Sequence, residues 1–127
     1  PWIELGWDIQ HYADYFNTIT GWNWTLADLY RVADRIYSLM KLFWLRESPN
    51  WDRAMDYPPQ VWFDPANADT EGPIAGQILD RNKFDKLLDS YYEIRGWDKR
   101  GIPTKKTALE LGLAKEAAEV EKYAKLE

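Results

Sequence analysis

Residues 91–113 read YYEIRGWDKRGIPTKKTALELGL, and the order of the punctuation in this stretch decides the fold. A helix ends at Gly96, a residue able to take the left-handed conformation that stops a helix without a Cβ penalty. Gly101, Ile102 and Pro103 then turn the chain. Thr104 is placed to cap a short helix through Leu111, and Gly112 with Leu113 has the form of a C′ and C″ pair. Inside this corner, Trp97 is expected to pack back on Tyr91 or Leu88. Asp98 is expected either to pair with Arg95 or to cap the amides of the following turn.

Working outward, Asp80 or Asn82 caps the helix that enters the corner, with Phe84, Leu87, Leu88, Tyr91 and Ile94 on one face. Before it, Pro49, Pro58, Pro59, Pro65, Gly72, Pro73 and Gly76 block any long helix between Ser48 and Leu79. A loop of that length in a compact domain is functional or disordered. Trp51, Tyr57, Val61, Trp62 and Phe63 argue for a loop pinned by its aromatics, to these helices or to a neighbour. Earlier still, Thr25 caps a long helix whose polar positions, Asp28, Arg31, Asp34, Arg35, Ser38 and Lys41, form one narrow strip. Such a helix should be central. Ile9, Tyr12, Ala13, Phe16 and Ile19 mark a first helix with Asp8 as N-cap and Gly21 as its stop, and Ala117, Val120 and Ala124 mark a last one within KEAAEVEKYAKLE. No strand pattern of similar strength occurs, so the chain is expected to be all-α. The expected architecture is a multihelical array of about five helices with one long aromatic, proline-containing loop, forming a single domain over residues 1–127.

The 127 residues suffice for one core and carry a net charge of −5, which argues against a nucleic-acid partner, since that needs clustered Lys and Arg. No apolar run reaches the roughly 18–20 residues of a membrane span. There is no cysteine, hence no thiolate nucleophile and no iron–sulfur or zinc-thiolate ligand. Aromatic residues make up 16% of the chain, more than a small monomer usually hides, so some rings should face a partner surface. A start at Pro1 with no initiator Met suits a fragment at least as well as a complete gene product.

His11, the single histidine, falls off the apolar stripe of its helix and is read as a surface or interdomain residue, not as a base or a ligand. Asp85 and Asp89, at i, i+4 beside Lys83 and Lys86, read as a solvated face. The Trp–Asp neighbours Trp7–Asp8, Trp51–Asp52 and Trp97–Asp98 are the residue types of sugar clefts, but in a helical chain they read as core. GxGxxG, P-loop and GxSxG patterns are absent. No residue of this chain is therefore assigned a catalytic, cofactor-binding or metal-binding role.

Three segments together resemble the C-terminal part of the tungsten-containing aldehyde ferredoxin oxidoreductases: ADRIYSLMKLFWLRE at 33–47, MDYPPQVWFD at 55–64, and the 91–113 stretch with its RGWDxxGIPT string. The matching residues are Arg35 and Ile36, the pair Arg46–Glu47, the step Asp56–Tyr57–Pro58, the pair Tyr91–Tyr92, and the unit from Arg95 to Pro103. Trp44 replaces the family's usual Asn, and Ser48 and Pro49 replace the glycine that follows the Arg–Glu pair. The resemblance implies a larger cytoplasmic enzyme in which a tungstopterin and a [4Fe–4S] cluster oxidise aldehydes to carboxylic acids and pass electrons to ferredoxin. The cluster cysteines, pterin motifs and active-site Glu and His would all precede Pro1, the last cysteine just before it. This piece alone would then be inactive, with the upstream domains as its partners. The reading from another class is a stand-alone, non-enzymatic helical interaction module.

Overall fold

The computed structural model describes residues 8–48 and 50–127. Those residues form five α-helices and no strand: α1 (Gln10–Thr20), α2 (Leu26–Glu47), α3 (Arg81–Arg95), α4 (Lys105–Glu110) and α5 (Ala114–Val120). The fold is all-α, as expected. Local chemistry sets most of the boundaries. The Thr25 hydroxyl accepts from the Asp28 amide while the Asp28 carboxylate accepts from the Thr25 amide, a complete capping box at the start of α2. Asp80 caps α3 and Thr104 caps α4 through their side chains. Gly21 and Gly96 end α1 and α3 in the left-handed conformation. At α1 the N-cap is Ile9, one residue beyond the expected Asp8, although the Asp8 carboxylate still accepts from the Gln10 amide at 3.0 Å. Helix α5 stops at Val120, and the chain beyond it returns as a strap: Leu126 is buried and the Lys105 amide donates to the Glu127 carbonyl at 2.7 Å.

The long loop between α2 and α3 is built from three 3₁₀ turns, Arg53–Asp56, Gln60–Phe63 and Pro65–Asn67. Side chains of Asp52 and Asp64 cap the first and third. Its aromatics pin it to this chain only in part. The rings of Tyr57, Phe63 and Phe84 cluster at centroid distances of 5.3 to 6.4 Å, whereas Val61 and Trp62 stay exposed.

Two apolar cores hold the array. Leu42 and Leu45 of α2 meet Ile102, Ala108, Leu113, Ala117, Val120 and Leu126, with α5 lying between α2 and α4. Leu88, Tyr92 and Trp97 form the second, flanked by Tyr57 and Phe84. Helix α2 is buried along one side only, where Leu42 and Leu45 are joined by two residues of the polar strip. Ser38 and Lys41, from its polar strip, are buried, while Ile36, Tyr37, Met40, Phe43 and Trp44 from its apolar arc are exposed.

The corner at residues 95–104 closes on itself. The Trp97 amide donates to the Tyr92 carbonyl at 2.8 Å and the Asp98 amide to the Ile102 carbonyl at 2.7 Å. The Asp98 carboxylate accepts from the amides of Arg100 (2.8 Å) and Ile102 (3.1 Å). Of the two expectations for Asp98, capping is the one realised; Arg95 instead pairs with Asp34 at 2.8 Å. Gly101 has φ +78°, and a Cβ there would lie 2.5 Å from the Tyr92 phenol. A glycine is required on both counts.

Candidate functional site

The corner and the loop converge on one cationic side chain. Lys41 points inward from α2, and its ammonium donates to both oxygens of Asp56, at 3.0 and 2.9 Å. Asp56 ends the first 3₁₀ turn, held there because Pro58 and Pro59 follow and prevent continuation. The Tyr92 hydroxyl of α3 donates to the same carboxylate at 2.6 Å. Lys41 Nζ also lies 3.7 Å from the Trp51 ring centroid and 5.2 Å from that of Trp97, within the range of cation–π attraction. Trp97 is fixed in turn by its indole N–H, which donates to the Ser38 hydroxyl at 3.2 Å, and by Tyr91, edge-on at 5.8 Å. As expected, Trp97 is buried on Tyr91 at a turn between two helices.

Burial pushes the Lys41 ammonium below the ordinary lysine range, and the Asp56 carboxylate pulls it part of the way back. Burial likewise drives the Tyr92 phenol well above its ordinary range, with Asp56 adding to the effect. Above this floor opens a cleft of about 480 Å³ whose walls include Tyr37, Met40, Trp44, Trp51 and Met55. The walls are largely apolar and the floor is a self-compensated ion pair. Both oxygens of Asp56 and two directions of the Lys41 ammonium are already engaged, so the arrangement clamps α2, the loop and α3 together.

A second polar cluster joins the loop to α3. Arg53 donates to the Asp89 carboxylate at 2.6 Å and to the backbone carbonyls of Asp85 and Lys99, both at 3.1 Å. The Tyr57 hydroxyl bonds the Asp85 carboxylate, which raises the phenol's pKa. This corrects the reading of Asp85 and Asp89 as a merely solvated face: Arg53 and Tyr57, distant in sequence, arrive to pair with them. His11 is exposed on α1, 3.5 Å from the Asp14 carboxylate. Trp51 and Trp97 serve the Lys41 clamp, and Trp7 and Pro49 lie outside the described residues.

Sequence reasoning placed Lys41 in a polar strip and missed the clamp. The signal available was its position one residue before Leu42 and four before Leu45, on the edge of the inward stripe. The tungstopterin and iron–sulfur groups implied by the resemblance do not fit the donors found here. The sequence has no cysteine, and among the described residues no three His, Asp or Glu side chains converge as a metal-ligand set. Among the same residues, no helix is long and apolar enough to cross a membrane.

Fold and site define an all-α structural unit, clamped by a buried Lys–Asp–Tyr network and bearing a wide apolar surface. A family model described as aldehyde ferredoxin oxidoreductase, domains 2 and 3, matches residues 1–113, and the chain belongs to that family. Among its relatives, the tungsten-containing aldehyde ferredoxin oxidoreductases of Pyrococcus furiosus and Thermococcus kodakarensis are 29% and 27% identical over 110 residues, 87% of this chain. A Pyrococcus furiosus aliphatic sulfonate oxidoreductase, WOR-like subunit, is 29% identical over 116 residues, 88% of this chain. The chain spans 17% of the length of the first two relatives and 18% of the third.

Proposed function

We propose that residues 1–127 form the C-terminal structural domain of a tungstopterin, iron–sulfur enzyme that oxidises aldehydes to carboxylic acids with ferredoxin as electron acceptor. The family match over residues 1–113 carries this reading. The donor set of the chain supports a division of labour: tungsten, pterin and cluster reside in the rest of the polypeptide, whose domains are the partners of this one. Here the side chains position helices. The Lys41–Asp56–Tyr92 clamp and the Asp98-capped corner hold α2, α3 and α4 in a fixed relation, and the chain by itself turns over no substrate. We place the enzyme in the cytoplasm, as the resemblance to the family implies.

The test is anaerobic reduction of a viologen dye by the complete polypeptide, with aldehydes and, because one relative bears that name, an aliphatic sulfonate as alternative donors. Aldehyde-dependent reduction by the complete polypeptide and none by the 127-residue chain is the expected result. Reduction with the sulfonate alone would remove the substrate class, and turnover by the chain alone would overturn the proposal.

A further inference from the structure

The outward face of α2 is built as a core and left about half exposed, with the guanidinium groups of Arg95 and Arg46 lying over the Tyr37 and Phe43 rings. Val32, Ile36, Met40 and Phe43 recur at spacings of three and four residues and so share one side of the helix, with Tyr37 and Trp44 along its edge. Each of the six is between 36% and 53% exposed. Between Leu29 and Trp44 the half of the helix pointing away from Ser38 and Leu42 carries no charged residue at all. Asp34 and Lys41 lie on the inner half, where Arg95 and Asp56 meet them. A surface helix of a monomer has the opposite arrangement, with charge outward and apolar residues inward, and monomers rarely expose an apolar patch of more than a few hundred Å².

The occupant follows from length. The matched relatives carry most of their chain outside the matched stretch, which is only 17% of each, while the match to the family includes all of α2. An uncharged arc of this extent marks an interaction site and fits an equally apolar partner surface. We infer that the outward arc of α2, centred on Ile36, Met40 and Phe43, is the seat on which the rest of the same polypeptide packs, an assignment that rests on the function proposed above. Helix α2 is thus an interface helix, tied to this domain by Leu42 and Leu45 with Ser38 and Lys41, and to the remainder of the enzyme by its apolar arc.

Hydroxyl-radical footprinting tests this on the complete polypeptide and on the 127-residue chain. Met40 and Trp44 should be labelled severalfold more slowly in the complete polypeptide, and raising the concentration of the 127-residue chain should not reproduce that protection. Equal labelling in both overturns the inference. Protection that appears in the chain alone as its concentration rises assigns the arc to a second copy and overturns it equally. As a second arm, Ile36→Asp should leave the urea midpoint of the 127-residue chain unchanged, yet lower the melting temperature of the complete polypeptide and restore labelling of Met40. A complete polypeptide indifferent to Ile36→Asp contradicts the assignment. Metal analysis of the same preparations keeps the two readings separate. A protected arc without tungsten supports the seat and removes the proposed function, whereas a fully labelled arc in a tungsten-loaded polypeptide removes the seat alone.

Discussion

Replacing Trp97 with Ala should destabilise this chain by about 3–5 kcal/mol, the range for deleting a buried indole. The ring is 8% exposed, touches Tyr91 and Tyr92 at centroid distances of 5.8 and 6.2 Å, and screens the Lys41 ammonium from solvent on one side. Its loss also strips the buried Ser38 hydroxyl of the indole N–H that donates to it, and an unsatisfied buried polar group costs roughly 1–3 kcal/mol by itself. The two contributions overlap, since a water admitted into the cavity would satisfy Ser38 while leaving the apolar contacts unmade. Urea unfolding followed by far-ultraviolet circular dichroism measures the change. Should Trp97→Ala fail to fold, Trp97→Phe isolates the polar part: it keeps most ring contacts, removes the donor, and should cost about 1 kcal/mol. A Trp97→Ala effect below about 1 kcal/mol would refute the reasoning, because a change that small belongs to exposed side chains.

Asp56→Ala should cost about 3–5 kcal/mol, because it leaves the buried Lys41 ammonium without its carboxylate; a double-mutant cycle with Lys41→Met in urea should return a favourable coupling, and a coupling near zero would contradict the clamp. Tyr92→Phe should flatten the alkaline limb of stability. The folded-state pKa of Tyr92 lies above its unfolded value near 10, so its contribution is fully present below pH 10 and is lost as pH rises beyond. Above pH 10 the wild-type chain should therefore lose stability more steeply than Tyr92→Phe, by up to about 1.4 kcal/mol per pH unit for the one proton. The lowered pKa of Lys41 acts in the opposite sense below pH 10.5 and is common to both proteins, so the difference between them isolates Tyr92. Parallel limbs would show that the phenol titrates freely.

The legible parts of this fold were those decided within a few residues. Thr25 with Asp28, Thr104 with Thr107, and the stops at Gly21 and Gly96 are local hydrogen-bond chemistry, and each boundary they imply is observed. The RGWDxxGIPT corner was legible for the same reason. Asp98 meets its amides two and four residues away, although spacing alone left Arg95 as a competing partner. What escaped the sequence depended on distant residues. Periodicity called α2 central without showing which side faced this chain, because Asp56, Trp51 and Trp97 lie far along the sequence and together make burial of Ser38 and Lys41 favourable. The aromatic excess was visible in the composition, but its place on α2 was not. Arg53 reaches Asp89 across 36 residues, a pairing no local pattern encodes. Helix α5 was read too far because KEAAEVEKYAKLE is helix-favouring throughout, whereas burial of Leu126 draws the tail away from the helix axis.

The division of labour between this domain and the rest of the enzyme is the central claim, and metal analysis tests it most directly. The complete polypeptide and the 127-residue chain, each produced anaerobically with tungstate in the medium and then desalted, should differ completely. Tungsten and cluster iron should remain with the complete polypeptide in stoichiometric amount, and neither should remain with the chain. Stoichiometric tungsten or iron retained by the chain alone would contradict the account, as would a complete, folded polypeptide that holds neither.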